Sequence, residues 1–169
     1  NTYTVKYNAN GGIGDMAEMV VTYDLTVKLS SNLFERTGYT FAGWSTTADG
    51  IVNYTDKQSI TNLTDTDGVV IDLYAVWDIN SYTVTYDYWT NGGNSTETDK
   101  AVIKYNAPID LRVSAEKGNG FTFVGWNTDA SATTGLRSLS MGTENLTLYA
   151  IYKKTIHVTL VERNEENVI

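Results

Sequence analysis

Short alternations of apolar and polar residues run along the chain from its first residues. Tyr3, Val5 and Tyr7 alternate with Thr and Lys side chains, the period of two that is typical of a half-buried β-strand. The Gly-rich stretch 8–14 predicts a turn, and a second strand near Met19–Tyr23 would complete a hairpin. Because no long stretch has the 3.6-residue period of an amphipathic helix, the pattern predicts a mainly β protein.

The next segments extend this prediction to a small sheet. Residues 25–36 form a connection of weak helix propensity, predicted as a loop or one short helix. Both faces of an extended Gly38–Trp44 strand would be largely apolar, which favours a central strand, and the Leu73–Trp77 strand is apolar on both faces too. The expected unit is a small mixed sheet wrapped over a short helix or loop, mainly β or α+β with little helix.

Four blocks of this unit occur twice in the same order. With their second copies they are Tyr3–Tyr7 and Tyr82–Tyr86, Gly11-Gly12 and Gly92-Gly93, Gly38–Trp44 and Gly120–Trp126, and Leu73–Trp77 and Leu148–Tyr152. The repetition predicts two modules, residues 1–79 and 80–154. Residues 155–169 are predicted as a strand and tail that either begin a third repeat or cap the second.

The recurring aromatic residues are interpreted as core, because a unit of roughly 75–80 residues must bury large rings to fold. Gly43 and Gly125 are expected to allow close packing or a bulge beside a tryptophan. The predicted core motif comprises Tyr3, Tyr7, Gly38, Phe41, Gly43, Trp44, Tyr74, Trp77, Tyr82, Tyr86, Gly120, Phe123, Gly125, Trp126, Tyr149 and Tyr152.

Composition narrows the possible functions. Of 169 residues 41% are hydrophobic and 12% aromatic, which excludes a disordered chain. The net charge of −8 argues against nucleic acid as a partner, since phosphate binding requires an excess of Lys and Arg. The chain has no cysteine, which removes disulfides, thiol nucleophiles and Cys-based metal sites.

The charge is divided unevenly between the predicted modules. Residues 1–79 hold ten acids and four bases, a net charge of −6, whereas residues 80–154 hold seven of each and are neutral. No apolar run approaches the roughly 20 residues that span a bilayer, and the first residues predict a strand rather than a signal segment. We therefore expect a soluble chain without a transmembrane segment, from which any targeting peptide has been removed.

Together the motifs resemble a known family. Gly-Tyr-Thr-Phe-x-Gly-Trp, followed by Leu-Tyr-Ala-x-Trp and preceded by Tyr-Thr-Val-x-Tyr and an Asn-Gly-Gly turn, is similar to the Listeria–Bacteroides repeat, which is related to the B-repeat of internalins. The similarity covers residues 2–77 and 81–152. It implies a β-grasp-like (ubiquitin-like) module, found in tandem in large secreted or surface-anchored bacterial proteins as a stalk or adhesion element without known catalytic residues.

The sequence departs from the family pattern in three places. The second copy ends in Tyr152 instead of Trp and has Tyr88 and Trp89 inserted before its Gly-Gly turn, and the proline common before the Gly-Tyr-Thr-Phe block is missing. Trp89 has no counterpart in the first copy and lies with Tyr88 at a predicted hairpin tip, where neither ring is needed for a core. Exposed aromatic pairs often mark sugar or protein contacts; the alternative is a ring that folds back on its own hairpin.

Metal binding and catalysis find less support. Asp65, Asp67 and Asp72 resemble half of a calcium loop, but Val69 occupies the third ligand position and no Glu closes the loop, so a solvated turn is favoured. The single His157 lies in the tail, and neither a Gly-x-Ser-x-Gly motif nor a cysteine is present. We therefore expect no enzyme and no cofactor.

The sequence thus predicts a non-catalytic tandem-repeat region of an extracellular bacterial protein, on the cell surface or secreted. It would be a monomer within a longer multi-repeat chain, acting as a stalk or spacer and in adhesion, with an unknown surface protein or glycan as partner. The alternative is a binding module for carbohydrate or a host protein, which would use Trp89 and the variable loops Ser45–Asp72 and Asn127–Thr147.

Overall fold

The computed structural model describes residues 1–93, 99–111, 117–118, 120–156 and 158–160. These ranges contain ten β-strands in mixed and antiparallel sheets and no helix, which confirms the prediction of a mainly β protein. The strands are β1 (Thr2–Asn8), β2 (Met19–Thr22), β3 (Val27–Lys28), β4 (Tyr39–Ser45), β5 (Ser59–Ile60), β6 (Val70–Ile79), β7 (Ser81–Asp87), β8 (Asp99–Lys104), β9 (Phe121–Asn127) and β10 (Leu146–Lys154).

The first repeat folds into a four-stranded sheet with the order β2-β1-β6-β4. β1 is antiparallel to β2 and parallel to β6, and β6 is antiparallel to β4. Along β1 the side chains of Tyr3, Val5 and Tyr7 are buried while Lys6 is exposed, as the alternation in the sequence predicts. The first and last strands of the repeat are therefore parallel neighbours at the centre of the sheet.

The second repeat forms a sheet of the same order, β8-β7-β10-β9. β10 is parallel to β7 and antiparallel to β9. Val84 and Tyr86 of β7 are buried, whereas Tyr82 is half-buried. The repeated blocks of the sequence therefore occupy equivalent strands of two separate sheets.

The prediction of a central Gly38–Trp44 strand is wrong, because β4 lies at an edge of its sheet. Part of that edge is covered by a loop. The N–H of Trp44 donates to the carbonyl oxygen of Tyr54 at 2.7 Å, and the N–H of Tyr54 donates to the carbonyl oxygen of Trp44 at 3.0 Å. Such cover protects an apolar edge from pairing with another chain, so the strand can be apolar on both faces without being central.

A β-bulge also changes which side chains share a face of β4. The pairing register shifts between Phe41 and Gly43, so that Ala42 is an extra residue and the alternation is interrupted. Phe41 and Trp44, which strict alternation separates, consequently have ring centroids only 4.9 Å apart. The glycine of the bulge has a φ of 152°, and Gly125 in β9 has a φ of 146°, a region that favours glycine.

The connection over residues 25–36 contains β3 and no helix. β3 pairs with β5, so in the first repeat the predicted loop is correct and the alternative of a short helix is wrong. Leu29 and Phe34 lie in this connection and are 2% and 6% exposed. They supply the apolar cover that a helix supplies in other mixed sheets. Part of the corresponding connection in the second repeat lies outside the described residues.

Backbone contacts divide the chain into two compact units. The first combines Asn1–Tyr82 with Lys104–Ala107 and Met141–Glu144, and the second combines Thr83–Ile103, Pro108–Ser140 and Asn145–Ile169. The module boundaries expected from the sequence, 1–79, 80–154 and 155–169, remain a prediction. Within the described residues, no helix has the length and apolar character needed to cross a bilayer.

Candidate functional site

The first repeat is packed around one fully buried tryptophan. Trp44 has no exposed surface, and the ring centroids of Tyr7, Phe41 and Phe34 lie 4.8, 4.9 and 6.1 Å from its own. The ring of Trp77 continues the cluster, 5.7 Å from Phe41. Because large rings dominate the burial energy of a small core, this cluster joins β1, β4, β6 and the connection between β3 and β4.

The second repeat is also packed around a buried tryptophan, and one of the rings that contact this tryptophan differs from those of the first repeat. Trp126 is fully buried, and the rings of Tyr86, Tyr88 and Phe123 lie 5.1, 5.0 and 5.5 Å from it. Tyr152 lies 5.9 Å from Phe123, as the closing tryptophan does in the first repeat. The inserted Tyr88 is thus one of three rings around the buried tryptophan.

Tyr88 is a core residue, so the expectation that neither inserted ring is needed for a core is wrong for this residue. Its side chain is 9% exposed, and its hydroxyl donates to a carboxylate oxygen of Asp99 at 2.8 Å. The first copy packs Phe34 on its tryptophan, whereas the corresponding stretch of the second copy has Ala115 and Glu116 in the sequence. Tyr88 therefore supplies a ring that the second copy would otherwise lack, and it is shielded from an external ligand.

Burial also raises the pKa of the phenols around Trp126. Burial, then the hydrogen bond to Asp99 and its negative charge, raise the pKa of Tyr88 to about 12. Burial, then the charges of Asp110 and Asp99, raise the pKa of Tyr86. Both phenols stay neutral at ordinary pH, so they donate hydrogen bonds and do not act as general bases.

Trp89 is exposed on a turn that hydrogen bonds hold in place. Its side chain is 45% exposed. The carboxylate of Asp87 accepts from the N–H groups of Trp89 and Thr90 at 3.0 and 2.8 Å, and from the Thr90 hydroxyl at 2.6 Å. The N–H of Gly92 closes the turn on the Trp89 carbonyl at 2.6 Å. An aromatic side chain on a fixed turn loses little conformational entropy on binding; ligand binding by Trp89 remains a prediction.

In each repeat the side chain of an asparagine holds the Gly-Gly turn in place by hydrogen bonds, a role that the sequence patterns did not predict. The side-chain amide of Asn10 donates to the carbonyl oxygens of Ala48 and Ala75 at 2.8 and 2.9 Å. In the second repeat Asn91 makes the same two bonds, both 3.0 Å, to the corresponding alanine carbonyls. The available signal was the Asn that precedes Gly-Gly in both copies. In each repeat these bonds join the turn to the closing strand, β6 or β10, and to the loop that follows β4 or β9.

A cation lies beside each of these turns. The guanidinium carbon of Arg36 is 4.0 Å from the ring centroid of Tyr39. The ammonium of Lys117 is 3.9 Å from the ring centroid of Phe121 and donates to the carbonyl oxygen of Asn91. Cation–π contact of this kind is favourable even at partly exposed sites, so the aromatic residue that opens β4 or β9 positions a cation in each repeat.

The three carboxylates considered as calcium ligands have separate hydrogen-bond partners. These are the Thr66 hydroxyl for Asp65, the backbone N–H of Thr2 for Asp67 and the Asn8 amide for Asp72, at 3.3, 2.8 and 3.0 Å. In the second repeat Asn145 accepts from the N–H of Thr83, also at 2.8 Å. Among the described residues no group of three or more His, Cys, Asp or Glu side chains could hold a metal ion.

The other predicted motif residues lie in the strands or at their starts. Gly38 and Gly120 precede β4 and β9 with φ values of 77° and 75°, a left-handed conformation suited to glycine. Tyr74 and Tyr149 are half-buried in the closing strands. His157 lies outside the described residues. The described part of the chain therefore assembles rings, amides and fixed turns, an arrangement suited to packing and binding.

One family model and several known proteins are similar in sequence to this chain. The model of the Listeria-Bacteroides repeat domain matches residues 3–76 and again residues 82–151. The chain is 31% identical over 162 residues to a provisionally named membrane protein of Evansella cellulosilytica, a match that covers 89% of this chain and 22% of that protein. It is 32% identical over 122 residues to Internalin H of Listeria monocytogenes, covering 69% and 20%. The matched region is thus about a fifth of the length of these curated relatives.

Proposed function

Because the chain belongs to the Listeria–Bacteroides repeat family, we propose that it is a non-catalytic tandem-repeat region of a bacterial cell-surface or secreted protein, acting as a load-bearing spacer. One observation carries the proposal. In each repeat the first strand is hydrogen-bonded in parallel to the last, β1 to β6 and β7 to β10. Tension along the chain enters a repeat through one of these strands and leaves through the other.

The parallel pairing determines how a repeat responds to tension. Thr4 lies opposite Val70, and the pairing continues to Asn8 opposite Tyr74. Pulling the two strands in opposite directions slides them along their axes and loads all hydrogen bonds of the ladder together. An antiparallel pair pulled apart at one end opens one bond at a time. Since forced unfolding is governed by the unfolding rate, the parallel arrangement favours a unit that persists under load.

The topology also supports the finer proposal that each repeat is a β-grasp-like module. A hairpin, β1 and β2, precedes a crossing connection, and the closing strand β6 inserts between β1 and β4. A closing strand inserted in this way supports the β-grasp-like arrangement that we propose. The first repeat lacks a helix in the connection over residues 25–36 and packs Leu29 and Phe34 there instead.

The relatives support an extracellular location for the proposed spacer. One is named as a membrane protein and another as an internalin. An adhesive region of the full-length protein would need distance from the cell envelope. We propose that the present chain supplies this distance at the cell surface or in a secreted protein. The partner of the adhesive region would be a surface protein or a glycan.

The spacer role can be tested on cells. The chain is anchored to a bacterial surface by its C-terminal end, a fluorescent reporter is fused to its N-terminal end, and energy transfer to a membrane dye measures the reporter's height. We expect the height to fall when residues 82–152 are deleted. A glycine–serine segment of equal length should give a broader distribution of heights, since such linkers are random coils. Equal heights for the full and the shortened chain would contradict the proposal.

A second candidate function is binding of a glycan or a host protein through Trp89. The specific observation that favours it is the set of three hydrogen bonds that the Asp87 carboxylate accepts from Trp89 and Thr90, which hold the turn that carries the exposed indole. Tryptophan is enriched among the residues that dominate interface affinity. The variable loops Ser45–Asp72 and Asn127–Thr147 would add contacts in this function.

Trp89→Ala tests the second candidate. Binding to a glycan array and to cultured host cells is compared for the unaltered chain, Trp89→Ala and the control Val102→Ala, which truncates a side chain that is 73% exposed on β8, outside the variable loops. Loss of binding in Trp89→Ala alone would support the candidate. Equal binding by all three proteins would remove it and leave the spacer role as the proposed function.

A further inference from the structure

A tyrosine ring covers the glycine that precedes β4. Inside the first compact unit, which includes Lys104–Ala107, Tyr105 lies directly on Gly38, where a Cβ atom would overlap the ring. The ring centroids of Tyr105 and Tyr39 are 6.2 Å apart with an interplanar angle of 75°, an edge-to-face geometry that aromatic pairs favour. Gly38 is buried. The glycine and the aromatic residue after it therefore form a docking site for a tyrosine.

Two backbone hydrogen bonds align this contact, and both involve Asn80. The N–H of Asn80 donates to the carbonyl oxygen of Gly38 at 2.9 Å, and its carbonyl oxygen accepts from the N–H of Tyr105 at 2.8 Å. Asn80 lies between β6 and β7. The residue that joins the two strands thus binds both the glycine and the tyrosine that covers it.

Gly120 has the glycine side of the same arrangement. The N–H of Thr155, directly after β10, donates to the carbonyl oxygen of Gly120 at 2.9 Å, as Asn80 does to Gly38. Gly120 is exposed. Apart from its chain neighbours, only the Thr155 carbonyl oxygen among the described residues lies within 4 Å of where its Cβ atom would be. Phe121 follows Gly120 and is half-buried, so the described part of the chain leaves this glycine uncovered.

Tyr23 has the tyrosine side of the arrangement. Its N–H donates to the carbonyl oxygen of Asn1 at 2.9 Å, as the N–H of Tyr105 does to Asn80. The residues after the two tyrosines, Asp24 and Asn106, have φ values of 62° and 60°, so both turns contain a left-handed residue at the same place. The side chain of Tyr23 is 37% exposed. Tyr23 is therefore held by its backbone as Tyr105 is, with part of its side chain accessible.

We propose that Gly120 and Phe121 form the docking site for the tyrosine of a following repeat, and that Tyr23 docks in the same way on a preceding repeat. The inference rests on the proposed function, because it requires further repeats in the same chain. Repeats in tandem arrays contact mainly their neighbours, and a head-to-tail contact uses a different surface on each partner. The occupant is a turn that carries a tyrosine directly after the second strand, as Tyr23 and Tyr105 do.

The charges beside the two surfaces favour this occupant. The ammonium groups of Lys117 and Lys154 lie 3.9 and 5.8 Å from the ring centroid of Phe121. Asp24 follows Tyr23, and its carboxylate accepts from the side-chain amide of Asn62 at 2.8 Å. A turn that carries a carboxylate beside its tyrosine is complementary to an aromatic site with lysines beside it.

The test joins two copies of the chain, so that residues 1–154 are followed directly by Asn1 of a second copy, which takes the place of Thr155. Linkage gives the second tyrosine a high effective concentration at the site. The first copy alone is isotope-labelled, and NMR follows its Gly120. We expect an α-proton of Gly120 to shift upfield on joining, because it would lie against the face of the Tyr23 ring. Gly38, which Tyr105 already covers, is the internal reference.

Tyr23→Ala separates docking from other effects of joining the copies. In the second copy it should abolish the shift of Gly120. The same substitution in the first copy, which no repeat precedes, is the matched control and should leave the shift intact. Tyr23→Leu in the second copy keeps an apolar side chain without a ring and should also abolish the shift. The indole signals of Trp44 and Trp126, recorded with the second copy labelled, show that each variant is folded.

Three results would overturn the proposal. The first is a Gly120 signal that is identical in the joined and the unjoined chain. The second is an upfield shift that persists when Tyr23 of the second copy is replaced by Ala and by Leu. The third is a shift that develops in the unjoined chain as its concentration rises, since separate chains would then occupy the site. None of these results decides the spacer role, whose test measures the height of a reporter.

Discussion

The two repeats solve one packing problem with different residues. Trp44 is contacted by Phe34, which comes from the connection before β4. Trp126 is contacted by Tyr88, which directly follows β7, the first strand of the second repeat. The inserted pair in the second repeat thus contains one core residue and one exposed residue, Trp89. The comparison teaches that a departure from the family pattern can be part of the scaffold, and that only its exposed part is available for binding.

The polar parts of the two repeats differ less than their charges suggest. Asp67 and Asn145 each accept a hydrogen bond from a backbone N–H of the strand that opens the repeat, that of Thr2 in β1 and that of Thr83 in β7, at 2.8 Å in both repeats. A contact of this kind therefore needs an oxygen acceptor and not a charge. The two repeats form sheets of the same order although residues 1–79 carry a net charge of −6 and residues 80–154 are neutral.

The largest expected effect comes from removing the ring that differs between the repeats, Phe34 in the first and Tyr88 in the second. Tyr88→Ala and Phe34→Ala should each cost about 3–5 kcal/mol in the free energy of unfolding, because each empties a site beside a buried tryptophan. Urea unfolding, followed by the indole signals of Trp44 and Trp126, assigns each loss to one repeat. A cost below about 1 kcal/mol for Tyr88→Ala would break the comparison, since small losses are typical of surface positions.

A smaller and equal effect is expected where the repeats agree. Asn10→Ala and Asn91→Ala each remove two hydrogen bonds and leave carbonyl oxygens without their partners, at a cost of about 1–3 kcal/mol. Thermal unfolding of the two variants measures this. Losses of similar size would sharpen the conclusion that the turn is held in the same way in both repeats, whereas a loss in only one variant would contradict it.

Alkaline pH should separate the repeats further. The pKa of Tyr88 is raised to about 12 by burial and by Asp99, whereas an unfolded tyrosine titrates near about 10. Because the folded value is the higher one, the stabilisation is fully present below about pH 10 and is lost as the pH rises through about 12. We expect the Trp126 signal to report alkaline unfolding at lower pH than in Tyr88→Phe. Identical midpoints would contradict this role of the phenol.

The smallest effect is expected for calcium. Since the bond from the Thr2 N–H to Asp67 needs only an oxygen acceptor, which asparagine keeps, Asp67→Asn should be nearly neutral in thermal stability, and about 1 mM calcium or a chelator should leave the melting temperature unchanged. A melting temperature that rises with calcium in the unaltered chain and not in Asp67→Asn would show that the charge has a ligand after all.

The strands were predictable from the sequence because alternation and repetition both mark them. β1, β2 and the closing strand β6 lie where the pattern predicts them, although β6 extends beyond the predicted residues. The contact between Phe41 and Trp44 on β4 was not predictable, because one extra residue in a bulge reverses the alternation of side chains between the two faces of the strand. The edge position of β4 was missed for a related reason. Cover by residues distant in the sequence, such as Tyr54, leaves no local signal.

The candidate sites were predictable only in part. An unmatched Trp89 signalled an exposed ring, but nothing local distinguishes it from the neighbouring Tyr88, whose burial depends on contact with Trp126. The amide of Asn10 and the carbonyl groups of Ala48 and Ala75 are distant in the sequence and come together only when the strands pair. Sequence repetition locates such residues separately; the tertiary fold decides which of them meet.

The most direct test of the load-bearing spacer is the unfolding force of the first repeat in two pulling directions. The chain has no cysteine, so handles can be attached to engineered cysteines, at Asn1 and Asp78 to pull β1 past β6, or at the paired residues Thr2 and Thr22 to peel β2 from β1. We predict a several-fold higher unfolding force in the first direction, because the parallel ladder is loaded as a whole. Equal forces, or a weaker response in the first direction, would contradict the account.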